Sequence, residues 1–133
     1  MKTYIGTKVI KAEPMTKQEY CDYRGWDVPA DEDPNEPVYL IEYPTDPESK
    51  PNHSDHKGYI SMSPKHVFDK AYKPADTYMD RLLIERDDLS NRYIKLRTAL
   101  EEKQVPKSTV RILMRQVKAM EAYLEILNER IGQ

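Results

Sequence analysis

The sequence predicts an α+β protein: a small antiparallel α+β lobe over residues 1–74, then a long antiparallel helical hairpin over residues 75–133. Three observations carry that reading. Residues 1–74 hold nine of the ten prolines, three of the four glycines, seven of the ten tyrosines and the only Trp and Phe. Residues 75–133 hold one proline and one glycine, and are dense in Leu, Arg, Glu, Lys and Met, which favour helix. Their apolar residues recur at intervals of three and four, the period of a helix seam.

Each element has its own local signal. Residues 3–10 (TYIGTKVI) are β-prone and predict an opening strand interrupted by Gly6. Thr16, with Glu19 three residues on, forms a capping box for a short helix that ends near Gly25. Residues 37–43 (PVYLIEY) and 58–62 (GYISM) read as two strands, and the polar, proline-rich stretch between them as a mobile surface loop. Ser63-Pro64 offers an N-cap and a first-turn proline to a helix over PKHVFDKAY. No connection is long enough for a parallel crossover, so the sheet is expected to be antiparallel.

In the second half, Thr77 and Asp80 fit another capping box, opening a helix that runs to about Gln104. Its stripe is Leu82, Leu89, Tyr93, Leu96 and Leu100. Pro106 breaks the chain, and Ser108 or Thr109 can cap a second helix. The stripe of that helix is Val110, Leu113, Val117, Met120, Leu124, Leu127 and Ile131, an unbroken heptad pattern. Two such helices joined by a short break fold back on each other. The second carries a surplus apolar line, Ile112, Ala119, Tyr123 and Ile126, and the first adds Met79, Leu83 and Ile94. Such a strip needs a cover, either the N-terminal lobe or another subunit. The small lobe and long helices favour self-association, with Ile112, Ala119, Tyr123 and Ile126 as the interface.

Charge and composition exclude several function classes. Across 133 residues, 21 Lys and Arg against 23 Asp and Glu leave a net charge of -2, too balanced for a broad DNA-binding field. No apolar run approaches the ~20 residues of a membrane span, and no secretion signal opens the chain. A soluble, cytoplasmic protein is expected. Cys21 is the one cysteine, which excludes an internal disulfide and any Cys-based zinc finger. It has no neighbouring base in sequence to make it a nucleophile. His53 and His56 lack a third fixed ligand for a metal, His66 reads as a surface or satellite-core residue of a helix, and the acidic run PADEDPNE at residues 29–36 lacks the spacing of a calcium loop. Phosphate-cradling glycine loops and nucleophile elbows are missing, so no enzyme, cofactor or catalytic residue is expected.

Arg24-Gly25-Trp26 sets a guanidinium beside a large flat ring, a pairing that suits base stacking and phosphate binding. The preferred reading is that the same tryptophan is the main core residue of the small lobe, with Arg24 pairing outside it. Arg86 falls on the first hairpin stripe between Leu82 and Leu89, where it snorkels from the seam or lines an anion groove.

The blocks Tyr4-Ile5-Gly6, Tyr23-Arg24-Gly25-Trp26 and Gly58-Tyr59-Ile60-Ser61 give residues 3–72 a close resemblance to a small domain of tailed-phage accessory proteins. The commoner pattern there has Trp where this chain has Met62. The second half, ending QVKAMEAYLEILNERI, resembles helical-hairpin proteins related to crAss-phage accessory genes, matching at Gln116, Met120, Tyr123, Leu127, Arg130 and Ile131. Elsewhere the same type of lobe precedes a domain resembling the Thoeris anti-defence sponges, and oligomeric helical hairpins occur in anti-CBASS sponges. These resemblances imply a phage counter-defence protein working by binding in the infected bacterial cytoplasm. Its partner would be a cyclic or NAD-derived nucleotide signal, with Arg24, Trp26, Tyr59 and Arg86 as ligand-binding candidates, and Tyr123 and Arg130 at a subunit seam. The alternatives are an inhibitor that covers a host defence protein with the hairpin, through residues such as Arg111 and Arg115, and a structural adaptor.

Overall fold

The computed structural model describes residues 1–133, which divide into two compact units, Met1–Tyr72 and Lys73–Gln133. The first is built on a three-stranded antiparallel sheet in the order β1 (Lys11–Thr16), β2 (Pro37–Glu42), β3 (Ile60–Pro64). Its register runs from Lys11 opposite Glu42 to Thr16 opposite Pro37, and from Val38 opposite Pro64 to Glu42 opposite Ile60. Helix α1 (Lys17–Arg24) follows β1 directly, and α2 (Lys65–Ala71) follows β3. The core gathers Tyr20 of α1 with Val38, Leu40 and Ile60, and Met15 and Met62 pack against it. Because β2 alternates its faces, Tyr39 points the other way, where its ring stacks on Phe68 of α2 at 3.9 Å.

The opening strand lies later than the sequence suggests. Residues 3–10 carry no regular structure, and β1 occupies Lys11–Thr16 although Pro14 weakens it as a strand former. The partner strand decides. All of β2 from Pro37 to Glu42 is already matched to residues 11–16, and an extension towards residue 3 would have to pair with Pro44 and Pro47. The capping box at Thr16 fixes the other end, its hydroxyl accepting from the Glu19 amide at 3.1 Å and its own amide donating to the Glu19 carboxylate at 3.3 Å. The expected Ser63 cap is also absent. β3 continues through Pro64, α2 starts without a side-chain cap, and the Ser63 hydroxyl donates to the Pro64 carbonyl instead.

The second unit is an antiparallel hairpin of α3 (Tyr78–Glu101) and α4 (Val110–Ile131). Thr77 and Asp80 cap α3 reciprocally, at 3.0 and 3.1 Å. At its far end the Gln104 amide reaches the Ala99 carbonyl and the Lys103 amide reaches that of Leu100, with Lys103 in the left-handed region at φ 56°. A 3-10 turn over Lys107–Thr109 then leads into α4. Thr109 does not cap α4; its hydroxyl donates back to the Pro106 carbonyl at 2.7 Å. Both predicted stripes face the seam, with Leu82, Met120 and Leu127 buried, Leu127 completely.

The seam is edged by polar contacts that recur at seven-residue steps. On one side Arg130 donates to the Tyr78 hydroxyl and Tyr123 donates to the Glu85 carboxylate. On the other, Arg86 donates to the Asn128 side-chain oxygen at 3.1 Å and Tyr93 donates to the Glu121 carboxylate at 3.0 Å. Each pair lies seven residues from its neighbour on both helices, as an antiparallel heptad seam requires. No helix is long and apolar enough to cross a membrane.

Candidate functional site

In the first unit, α1 ends by a turn that only glycine adopts without strain. Gly25 sits at φ 71°, its amide bonds to the Asp22 carbonyl, and the Trp26 amide returns to the Cys21 carbonyl at 2.8 Å. That turn folds Trp26 back beside its own helix. The Arg24 guanidinium lies 4.4 Å over the indole and also donates to the Tyr20 hydroxyl at 3.1 Å, while Tyr20 meets Trp26 edge-on. Trp26 is not the core residue of the lobe. It stays 53% exposed, and the smaller Tyr20 fills the core in its place.

Tyr20, Trp26 and Met62 form the apolar side of a cleft of about 410 Å³, faced by Asp27 and Glu32. Lys17, at the base of the cleft, is buried and bound to Glu32 at 2.7 Å and Glu36 at 2.5 Å. Those bonds hold its ammonium protonated well above the ordinary lysine range. The acidic run that could be read as a cation site is therefore folded around the chain's own lysine. Acidic groups on the rim oppose a phosphate, and Cys21 is buried beside them.

Tyr59 stands elsewhere on the lobe, half-exposed and tilted against Tyr43 at 6.5 Å, with Lys8 over the Tyr43 ring at 4.5 Å. Gly58 before it has no room for a side chain, since a Cβ would lie 2.1 Å from the Tyr43 carbonyl oxygen. Of the four residues singled out in the sequence as ligand-binding candidates, the fold brings Arg24 and Trp26 together. Arg86 belongs to the hairpin seam, bound to Asp87 at 2.7 Å and to Asn128.

One cluster escaped the sequence reading. The stretch before Gly58 does not hang free as a loop: Asn52 clasps the Ile60 backbone with two hydrogen bonds, at 2.8 and 2.9 Å. His53 stacks on Tyr23 at 4.4 Å. His56 joins the Tyr23 hydroxyl at 2.8 Å through Nε2 and the Glu42 carboxylate through Nδ1. The His56 bond is the main cause holding Glu42 below the ordinary carboxylate range, and burial is the main cause raising the Tyr23 hydroxyl. Nothing in the local sequence pairs residues 23, 42 and 56. No group of three or more His, Cys, Asp or Glu side chains is placed to hold a metal ion.

In the hairpin, Tyr78, Tyr123 and Arg130 share one edge of the seam. Both rings are exposed, and the Arg130 guanidinium lies 5.6 Å from the Tyr78 ring centre. The Glu85 bond is the main cause raising the Tyr123 hydroxyl, and the Tyr78 bond the main cause raising Arg130. The edge thus offers two flat rings, one guanidinium and one carboxylate. Along the same helix Ile112 and Ile126 are exposed at 61% and 54%.

Residues 76–133, the hairpin, match a protein-family model described as Sequestin. No curated protein and no solved structure matches the chain.

Proposed function

We propose that the protein works by binding rather than catalysis: it captures a cyclic or NAD-derived nucleotide immune signal and holds it intact, as a phage counter-defence protein in the host cytoplasm. The match between its hairpin and the family described as Sequestin, a name that speaks of sequestration, supports this reading. The observation that carries the site is the edge shared by Tyr78, Tyr123 and Arg130, where rings for a base and a guanidinium for a phosphate lie side by side. The Arg24–Trp26 pair is the second surface of this kind; it lies in the first unit, outside the residues that the family model matches.

Calorimetry against cyclic dinucleotides, cyclic trinucleotides and cyclic ADP-ribose isomers tests the reading. One ligand should bind tightly, weaken tenfold or more in Arg130→Ala, and leave heat-denatured protein chemically unchanged. Arg24→Ala and Arg86→Ala should move the affinity less than Arg130→Ala. No heat with any nucleotide, with one host protein captured stoichiometrically from bacterial lysate, would replace this reading with that of a protein inhibitor.

A further inference from the structure

The outer surface of α4 is arranged unfavourably for a helix on its own. Its first half carries Arg111, Arg115 and Lys118 and no acid, and its second half carries Glu121, Glu125 and Glu129 against one base, Arg130, which is turned to the seam and donates to Tyr78. Arg111 and Arg115 are spaced i, i+4, as are the three glutamates, so the neighbours on the helix surface repel. The polarity also runs against the macrodipole, which favours acids at the start of a helix and bases at its end. Of these groups, Arg111, Arg115, Lys118, Glu125 and Glu129 take no part in the ion pairs of the chain.

Folding back on α3 repeats the imbalance rather than relieving it. Residues 92–118, which form the turn end of the hairpin, contain eight basic and two acidic residues. The open end, residues 76–91 and 119–133, contains three basic and eight acidic residues. The hairpin is therefore positive at the turn and negative at its open end. Along the same outer surface, Ile112, Ala119 and Ile126 are exposed, with Ala119 midway between the two isoleucines. This line is unchanged in pattern when the helix is reversed about Ala119.

We infer that this face of α4 binds a second copy of the same chain, antiparallel, about a twofold axis close to Ala119. Reversal sets the Ile112 of one copy towards the Ile126 of the other and brings the basic half of each α4 against the acidic half of its partner. The small Ala119 at the axis lets the helices approach closely. A parallel pair would instead stack base on base and acid on acid. The dimer does not depend on the nucleotide reading, and its test uses no nucleotide.

Light scattering on the full chain at micromolar concentration should give twice the 15.6 kDa chain mass. Raising the salt concentration should weaken the dimer. The variant carrying Arg111→Glu, Arg115→Glu, Glu125→Arg and Glu129→Arg reverses the polarity at exposed positions. It should keep its helix content and pair with itself, yet be at least tenfold less able to pair with the unaltered chain in native mass spectrometry. Ile126→Arg should leave a folded monomer. A monomer of the unaltered chain, a mass beyond the dimer, or a reversed chain that pairs freely with the unaltered one overturns the proposal.

Discussion

Tyr123 on α4 donates its hydroxyl to the Glu85 carboxylate on α3, one heptad along both helices from the contact between Arg130 and Tyr78. The ring thus contributes to the exposed surface while its hydroxyl ties the two helices together. Tyr123→Phe separates these roles, since it keeps the ring and deletes the bond. The expected result is a melting temperature a few degrees lower, with ligand affinity changed less than in Tyr123→Ala. A Phe variant as defective in binding as the Ala variant would assign the hydroxyl, not the ring, to the ligand.

The two units should hold their folds when separated. Residues 1–72 are expected to keep β structure, and residues 73–133 to be strongly helical by circular dichroism. Within the hairpin the fully buried Leu127 is the test of packing: Leu127→Ala should cost ~2–5 kcal/mol in urea unfolding. A random-coil spectrum from the second fragment at high concentration would show that it needs the first.

Lys103 closes α3 in the left-handed region, where a side chain costs about 1 kcal/mol and glycine is unstrained. Lys103→Gly should therefore raise the unfolding midpoint, whereas Gly25→Ala, at φ 71°, should lower it. Equal and opposite shifts are not required, because the glycine also loosens the unfolded chain. A destabilised Lys103→Gly would mean that the lysine side chain matters more than its backbone.

His56 and the Gly58 amide hold Glu42 below its ordinary value of 4.5. A carboxyl with a lowered folded value stabilises the fold fully above its unfolded value, and loses that contribution as pH falls through the folded one. The difference in stability between the unaltered chain and Glu42→Gln should accordingly be present at pH 6 and shrink from about pH 4.5 downward. Denaturant titrations at several pH values measure it. A difference that stays constant to pH 3 would remove the carboxylate charge from the account.

What the sequence made legible was what neighbours along the chain decide. The capping boxes at Thr16 and Thr77 need residues three apart, and both form. The stripes of α3 and α4 follow from periodicity, and the residues they contain line the seam. The strand at residues 11–16 was hidden because its β propensity is lower than that of residues 3–10, and its partner chose otherwise. Trp26 has the composition of a core residue, but a glycine turn aims it outward and Arg24 lies over it. The pairing of Tyr23 with His56 spans 33 residues and carries no local mark. The charge polarity of the hairpin was present in the sequence all along, yet it acquires meaning only once α3 and α4 are known to lie antiparallel.

The seven-residue spacing of the seam contacts has a mechanical consequence. Sliding α4 by one helical turn, ~5.4 Å, would carry Arg130, Tyr123, Asn128 and Glu121 away from their partners together. A shift of a whole heptad one way would restore the spacing but set Tyr123 against Tyr78 and carry Arg130 past its partner. The helices are thus locked against axial travel, like a toothed rack engaged at four points. Strain applied at one end of the hairpin can reach the other by bending or by separation of the helices, and not by a stroke of one past the other.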